Sequence, residues 1–369
     1  MTSPKRTKHS EFMEWAKLCS QARFNLASSG VLNVPASEFP LRVDDFEITG
    51  PGGYGYEPLQ QRIALHYGIA PECIVAANGT SMANHLAMAA VVEPGDEVLI
   101  EQPAYGPLVD VADYLGARVK RIARSFANGF AIDPDKIDHS ITPATRLIVL
   151  SNLHNPSGAL IPSEALQRLA ETAARAGVHV LVDEVYIETI FDQFPPFAFA
   201  VGQALAGKNP FIITSSLTKT YGLSGLRSGW ILAAPALAQR IWRLNDLFGV
   251  NAPNSAEQLS VVAFDHLEEF RERARTLLAT NRASLNSFLE SRNDLECFRP
   301  PGGAVAFPRL VGANPDAFLQ LLRDKYETSV VPGKFFDMPE HFRIGIGGDT
   351  ESLRAGLERL GSALDEFQR

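Results

Sequence analysis

Short runs built almost wholly of apolar residues recur along this chain, and each breaks off at small or polar residues: Ile74-Val-Ala-Ala, Glu97-Val-Leu-Ile-Glu, Arg146-Leu-Ile-Val-Leu-Ser, Val178-His-Val-Leu-Val and Phe211-Ile-Ile-Thr. Runs this short, without polar alternation, read as strands buried on both faces, the habit of a parallel sheet. Between them lie stretches of helical spacing. Met82 to Val92 is apolar and alanine-rich, and Ser163 caps a helix with Leu166, Leu169, Ala170 and Ala173 on one face, closed by Gly177. Strands and helices in this alternation predict an open α/β sheet, whose ligands bind beyond the C-terminal ends of the strands.

Function is therefore sought in the residues just after each run. Beyond Phe211–Thr214 comes Ser215-Ser-Leu-Thr-Lys219-Thr-Tyr-Gly-Leu-Ser-Gly-Leu-Arg227-Ser-Gly, one lysine among small and hydroxyl residues. The Ser216 hydroxyl and the Arg227 guanidinium can converge there on one phosphate, and an amine beside a phosphate site points to a Schiff base. Beyond Val182 stand Asp183, Glu184 and Tyr186; taken alone, Asp183 reads first as a turn cap and second as half of a metal pair. Ile74–Ala77 leads into Asn78-Gly79-Thr80-Ser81 and then a helix, which makes an anion site of backbone N–H groups and hydroxyls. Tyr105 comes after the next strand, and Asn155 stands in the turn Asn152-Leu-His-Asn155-Pro-Ser-Gly158, with His154 as its neighbour. Near the other end, Phe342-Arg343-Ile-Gly-Ile-Gly-Gly puts an arginine among small residues, where it can grip a carboxylate with two parallel hydrogen bonds.

The stretch Ser216-Leu-Thr-Lys219-Thr-Tyr-Gly-Leu-Ser-Gly-Leu-Arg227-Ser-Gly resembles the lysine motif of class I/II aminotransferases, the fold-type I pyridoxal-phosphate enzymes. The resemblance implies that Lys219 carries the cofactor and that Asp183 pairs with its pyridine nitrogen, which strengthens the ring as an electron sink. It implies further that Tyr186 and Asn155 bond the phenolic oxygen, that Tyr105 stacks on the ring, and that Gly79, Thr80, Ser81, Ser216 and Arg227 hold the phosphate. Gly30, Asn155 and Arg343 are implied at the substrate carboxylate, and no metal is implied. Two positions depart from the family. Ser228 stands where an aliphatic residue is usual, and Gly50 where many members have a tyrosine that reaches the partner subunit's cofactor phosphate; Tyr54 or Tyr56 is the candidate substitute, packing into a helix approach the alternative for each.

Gly50-Pro-Gly52-Gly-Tyr-Gly55 satisfies G-x-G-x-x-G literally. A dinucleotide site needs a strand running into that loop and a helix opening at its last glycine. Leu41-Arg-Val-Asp-Asp-Phe-Glu is a poor buried strand and Pro58 delays the helix, so the better match is the aminotransferase pattern Gly55-x-x-x-Leu59-x-x-x-Ile63-Ala64.

The implied fold is α/β, fold type I: a large domain with a mostly parallel seven-stranded sheet and a smaller α+β domain. With 369 residues, 46% of them hydrophobic, the chain is long enough for two domains. The expected division is an N-terminal segment, residues 1–40, packed on the small domain, a large cofactor domain over residues 41–267, and a small domain over residues 268–369. Glu11 to Phe24 is expected to be helical, Gly229–Ala234 to be the last strand of the large sheet, the chain from there to about Phe288 to be helical, and Gly302–Pro308 and Ser329–Phe336 to be strands. A homodimer with sites at its interface is implied.

A formal charge of −8 offers no basic field for nucleic acid or membrane, and no apolar run reaches the roughly 18 residues of a spanning helix. Cys19, Cys73 and Cys297 form neither a disulfide framework nor a zinc motif and fit a reducing cytoplasm. Met1–Ser10 is basic with no apolar core after it and reads as a frayed terminus. The implied reaction moves an amino group from an amino acid to a 2-oxo acid by a ping-pong mechanism. A lyase or cyclase is the alternative, because Ser28–Val31, Gly303–Arg309 and the missing tyrosine at Gly50 resemble the branch containing capreomycidine synthase. A non-catalytic binding protein of the same fold is the remote one. Arg23, Tyr54, Tyr56 and Asn251 are candidate side-chain pocket residues.

Overall fold

Alternate residues of one strand enter different cores. Leu147 and Val149 pack on one side of the sheet, and Ile148 and Leu150 on the other. The same division separates Leu181 from Val180 and Val182, and Ile212 from Phe211 and Ile213. A strand with a period of two and apolar residues at every position has to be covered on both faces.

The computed structural model describes residues 6–42, 47–50, 52–205, 207–312 and 315–367. Its strands, in chain order, are β1 (Phe24–Asn25), β2 (Ile74–Asn78), β3 (Glu97–Gln102), β4 (Arg118–Ala123), β5 (Thr145–Ser151), β6 (His179–Asp183), β7 (Phe211–Ser216), β8 (Ser228–Leu232), β9 (Leu295–Glu296), β10 (Val305–Ala306), β11 (Arg309–Leu310), β12 (Thr328–Ser329), β13 (Val331–Pro332) and β14 (Phe342–Gly345). Seven form the main sheet in the order β2-β8-β7-β6-β5-β3-β4. Only β8 runs antiparallel to its neighbours, so β2, β3, β5, β6 and β7 all end at the same edge.

Helices cover both faces. Gly79–Ala89, Gly106–Tyr114 and Pro235–Asn245 bring Leu86, Leu108 and Ile241 to one face; Glu57–Tyr67, Ser163–Ala176 and Asn254–Asp265 bring Ile63, Leu169 and Ala263 to the other. A further core forms where Leu267–Glu290, Pro315–Asp324 and Thr350–Phe367 meet β14 through Leu278, Phe318, Phe342, Ile344 and Leu360. Leu26 and Val31 of the N-terminal segment join that core, and β1 pairs with β12 in parallel. Among the described residues no helix is long and apolar enough to cross a membrane.

Several elements differ from the sequence expectation. The first helix is Glu11–Leu18 and stops short of Phe24, whose backbone N–H instead donates to Glu327 O at 3.0 Å as β1 begins. Helix Gly79–Ala89 starts at the phosphate-type turn itself, ahead of Met82. Pro58 does not delay its helix. It sits in the first turn, where its missing N–H has no partner to lose. The expected strand at 302–308 contracts to the two-residue β10, and that at 329–336 to the end of β12 and the two-residue β13, with a 3₁₀ turn at Gly333–Phe336. Residues 1–5 of the expected frayed terminus, Val43–Phe46 of the poor strand and Pro51 of the glycine run lie outside the described residues.

One buried ion pair braces the edge where the strands end. Glu101 on β3 is fully buried and accepts from Arg124 Nη1 at 2.6 Å and from the Ser151 backbone N–H at 2.8 Å, while Arg124 Nε donates to Phe130 O at 2.6 Å. Removing one partner strands the other charge in a dry interior. Glu101→Ala is therefore expected to lower the unfolding free energy by about 3–5 kcal/mol in denaturant titration; a loss under about 1 kcal/mol, the scale of an exposed pair, would contradict this account of the edge.

Candidate active site

The five aligned strand ends open into a cavity of about 440 Å³. Lys219, Asp183, Tyr186, Tyr105, Asn155, Thr80, Ser81, Ser216, Arg227 and Arg343, all predicted from sequence, line it together. Gly79 and Gly30 lie at its margins. A Cβ at Gly79, whose φ is +74°, would collide with the Arg227 guanidinium, and one at Gly30 would stand 3.4 Å from Lys219 Cδ.

At one end lie groups that suit an anion. Helix Gly79–Ala89 begins with free N–H groups, and Thr80 Oγ1 donates to Ser216 Oγ at 2.9 Å across the gap from β2 to β7. Arg227 reaches the same turn, its Nη2 donating to Asn78 O at 3.4 Å, from a backbone with φ of +50°. The close approach of this guanidinium explains why residue 79 is glycine.

In the middle, Asp183 ends β6. Its Oδ2 accepts from Asn84 Nδ2 at 2.9 Å and its Oδ1 from the Val185 N–H at 3.2 Å. Burial pushes its carboxyl up to about 6, against the opposing pull of the Asn84 bond, the Val185 N–H and the Lys219 charge. Lys219 is half-buried and its Nζ donates to Ser29 Oγ at 3.2 Å. Tyr105 meets Phe12 edge-on, with ring centroids 5.4 Å apart, and burial raises its hydroxyl above the ordinary range.

At the far end Arg343, 2% exposed, donates from Nη1 to Asn155 Oδ1 at 2.8 Å and from Nη2 to Ala27 O at 3.2 Å. Its Cζ lies over the rings of Phe12 and Phe336, and among the described residues its Nε has no partner. A fully buried guanidinium with an unspent donor is built for an anion brought in from outside. Hydroxyls and a guanidinium at one end, a buried carboxylate and an amine in the middle, and this arginine at the other fit pyridoxal 5′-phosphate together with a carboxylate-bearing substrate.

Other sequence candidates fall elsewhere. His154 is buried behind the site, held by Ser157 Oγ at 2.6 Å and Pro103 O at 2.9 Å, and burial keeps it neutral. Glu184 points away from the cavity, accepts from the Ala198 N–H at 3.0 Å, and is pushed by burial to about 8. Ser228, at the start of β8, is buried, and among the described residues its hydroxyl has no partner. Tyr54 donates to Asp246 of its own chain at 3.0 Å, Tyr56 packs on the core behind the sheet, and Arg23 pairs with Glu327. Arg23 and Asn251 do not line the cavity, nor do Tyr54 and Tyr56, whose expected reach as substitutes for the tyrosine at Gly50 is to a partner subunit's site. Sequence reasoning missed Phe12, Met13 and Trp15, which roof the cavity, and also Ser29 and Asn84. For Asn84 a signal existed: it is the one amide in the run Met82–Val92, whose other polar side chain is His85.

The family described as aminotransferase class I and II matches residues 47–360. The chain is 29% identical over 362 residues to capreomycidine synthase of Streptomyces vinaceus, covering 95% of this chain and 92% of that protein. It is 29% identical over 321 residues to an arginine–pyruvate transaminase of Pseudomonas aeruginosa, covering 83% and 80%. Among solved structures, a PLP-dependent aminotransferase from Streptococcus suis superposes with a TM-score of 0.90 at 27% identity over 100% of both chains. A PLP-dependent cyclase, OrfR, superposes with a TM-score of 0.87 at 25% identity over 99% of both.

The raised carboxyl of Asp183 makes a prediction for the cofactor-free protein. An acid whose folded pKa lies above its unfolded value stabilises the fold below the unfolded value, and that contribution is lost as pH rises through the window from 3.8 to about 6. Cofactor-free Asp183→Asn is thus expected to match the wild type near pH 4 and to exceed it by up to about 3 kcal/mol above pH 7 in denaturant titrations, at 1.36 kcal/mol per unit. A pH-independent difference would contradict it.

Proposed function

Because the chain belongs to the aminotransferase class I and II family, a family of pyridoxal-phosphate enzymes, we propose that it moves the amino group of an amino acid to a 2-oxo acid in two half-reactions. The observation that carries this reading is the convergence of Lys219, Asp183, Arg227 and Arg343 on one cavity. When bound, the cofactor supplies a carbonyl that captures the substrate's amino group and a protonated pyridine ring that draws electrons from the α-carbon. Thr80, Ser81, Ser216, Arg227 and the N–H groups that begin with Gly79 would hold its phosphate. Ionised Asp183 would keep the ring nitrogen protonated, Tyr186 and Asn155 would donate to the phenolic oxygen, and Tyr105 would pack on the ring.

Arg343 takes the substrate's α-carboxylate, with Asn155 fixing the guanidinium and Gly30 letting the backbone come close. Lys219 Nζ removes the α-proton, the step in which an amine at the end of β7 acts as general base. Phe12, Met13 and Trp15 keep water from the reacting centre.

The same proton removal also begins ring closure or elimination. The likeness to capreomycidine synthase and to a cyclase favours that as the second reading. We propose also that a second copy of the chain covers the flank at Leu247, Phe248 and Val250, which are 78%, 51% and 56% exposed beside His85 of the phosphate-end helix. The division into residues 1–40, 41–267 and 268–369, and a cytoplasmic setting for the three free cysteines, belong to the same proposal.

Lys219→Ala is expected to lower turnover by at least about 10²–10⁴-fold, the scale of a general base, while the protein still binds cofactor. The assay follows the amino group of each common amino acid and of arginine into an added 2-oxo acid. Retained turnover in Lys219→Ala would remove the lysine from the chemistry, and ammonia or a cyclic product without amino transfer would replace the first reading by the second.

A further inference from the structure

Asn84 lies on helix Gly79–Ala89 one turn after Thr80, so the two share a helix face. Its neighbours Ala83, Leu86, Ala87 and Met88 are buried core, and Asn84 itself is 4% exposed. An amide in such a place costs stability unless both its ends are bonded. Both are: Nδ2 donates to Asp183 Oδ2 at 2.9 Å, and Oδ1 accepts from Thr214 Oγ1 at 2.6 Å.

The direction of these two hydrogen bonds is set by the groups themselves. A carboxylate only accepts, so the NH₂ end of the amide must face Asp183, and its carbonyl then faces the hydroxyl of Thr214, which donates. Thr214 is fully buried on β7, two residues before Ser216, and Asp183 Oδ1 is held separately by the Val185 N–H. One donor is thereby assigned to each carboxylate oxygen, which fixes the plane of the carboxylate.

We propose that Asn84, oriented by Thr214, is a positioning residue that keeps the Asp183 carboxylate ionised and aimed into the cavity for the protonated ring nitrogen of pyridoxal 5′-phosphate. One helix then carries both the phosphate-end hydroxyls and the amide that sets the opposite end of the cofactor. The inference rests on the proposed pairing of Asp183 with the ring nitrogen. Burial drives that carboxyl up, and the Asn84 bond is the largest of the influences that bring it down. The Val185 N–H and the charge of Lys219, from the loop after β7, also bring it down, while the Asp183 charge in turn raises Tyr105 from the turn after β3 and Glu184 beside it.

The test is the dissociation constant of pyridoxal 5′-phosphate, measured by equilibrium dialysis of cofactor-free protein at pH values on both sides of 6, for wild type, Asn84→Leu and Thr214→Val. Asn84→Leu is expected to bind about tenfold more weakly at pH 7, the worth of a bond to a charged group. The pH at which its binding fails on the acid side should move up by about one unit. Thr214→Val, which leaves the amide present but free to turn, moves both in the same direction by less, and carries the test if Asn84→Leu does not fold. Variants that lose thermal stability but bind as the wild type does at every pH would overturn the inference, since a purely structural amide leaves the acid limb where it was. A wild-type protein that binds no cofactor would instead overturn the pairing of Asp183 on which it rests.

Discussion

A parallel sheet covered on both faces leaves its inner strands only their ends as places where side chains reach open space. In this protein six strands end on one edge, and five of them deliver a different chemical group there: hydroxyls and N–H groups after β2, an aromatic ring after β3, an amide after β5, a carboxylate at the end of β6 and an amine after β7. The lateral order of the strands fixes how far apart those groups lie. The apolar cores behind Ile148, Val182 and Ile213 thus set the geometry of the cavity, and the buried Glu101–Arg124 pair sets the edge at which β3 and β5 release the chain.

The charges in the cavity are held at a cost that only a ligand offsets. Asp183 and Arg343 are both almost wholly buried, and burial opposes the charged form of each. Each is fixed by neutral partners that leave part of its bonding capacity unspent: Asp183 by an amide and a backbone N–H, Arg343 by an amide oxygen and a backbone carbonyl. A site of this kind is preorganised, so little rearrangement is required of it when charge arrives.

The main sheet was legible in the sequence because uninterrupted apolar runs mean two covered faces. The strand that was not read, β4, is the exception that shows why: as an edge strand it carries Arg118, Lys120 and Arg121 on exposed or half-exposed positions and has no apolar run to announce it. Lys219, Asp183, Arg227 and Arg343 were legible from residue type and motif, and the structure brings them together. Their supports were not. The Asn84 amide and the Thr214 hydroxyl lie 130 residues apart in the chain, and only the sheet brings them within 2.6 Å. The roof of the cavity was missed for a similar reason: Phe12, Met13 and Trp15 read as one face of a short amphipathic helix, and nothing local says that β1, by pairing with β12, lays that helix across the strand ends. That pairing also ended the expected helix before Phe24, a case of tertiary pairing overriding local spacing.

The central claim is that Lys219 is the amine that meets the cofactor carbonyl. Reduction of the cofactor-loaded protein with borohydride, followed by peptide mass mapping, tests it most directly, because reduction makes the nitrogen–carbon bond permanent wherever it stands. The account predicts one pyridoxyl group, on the peptide that contains Lys219. Labelling of a different lysine, or no labelling of a protein that still binds the cofactor, would contradict it.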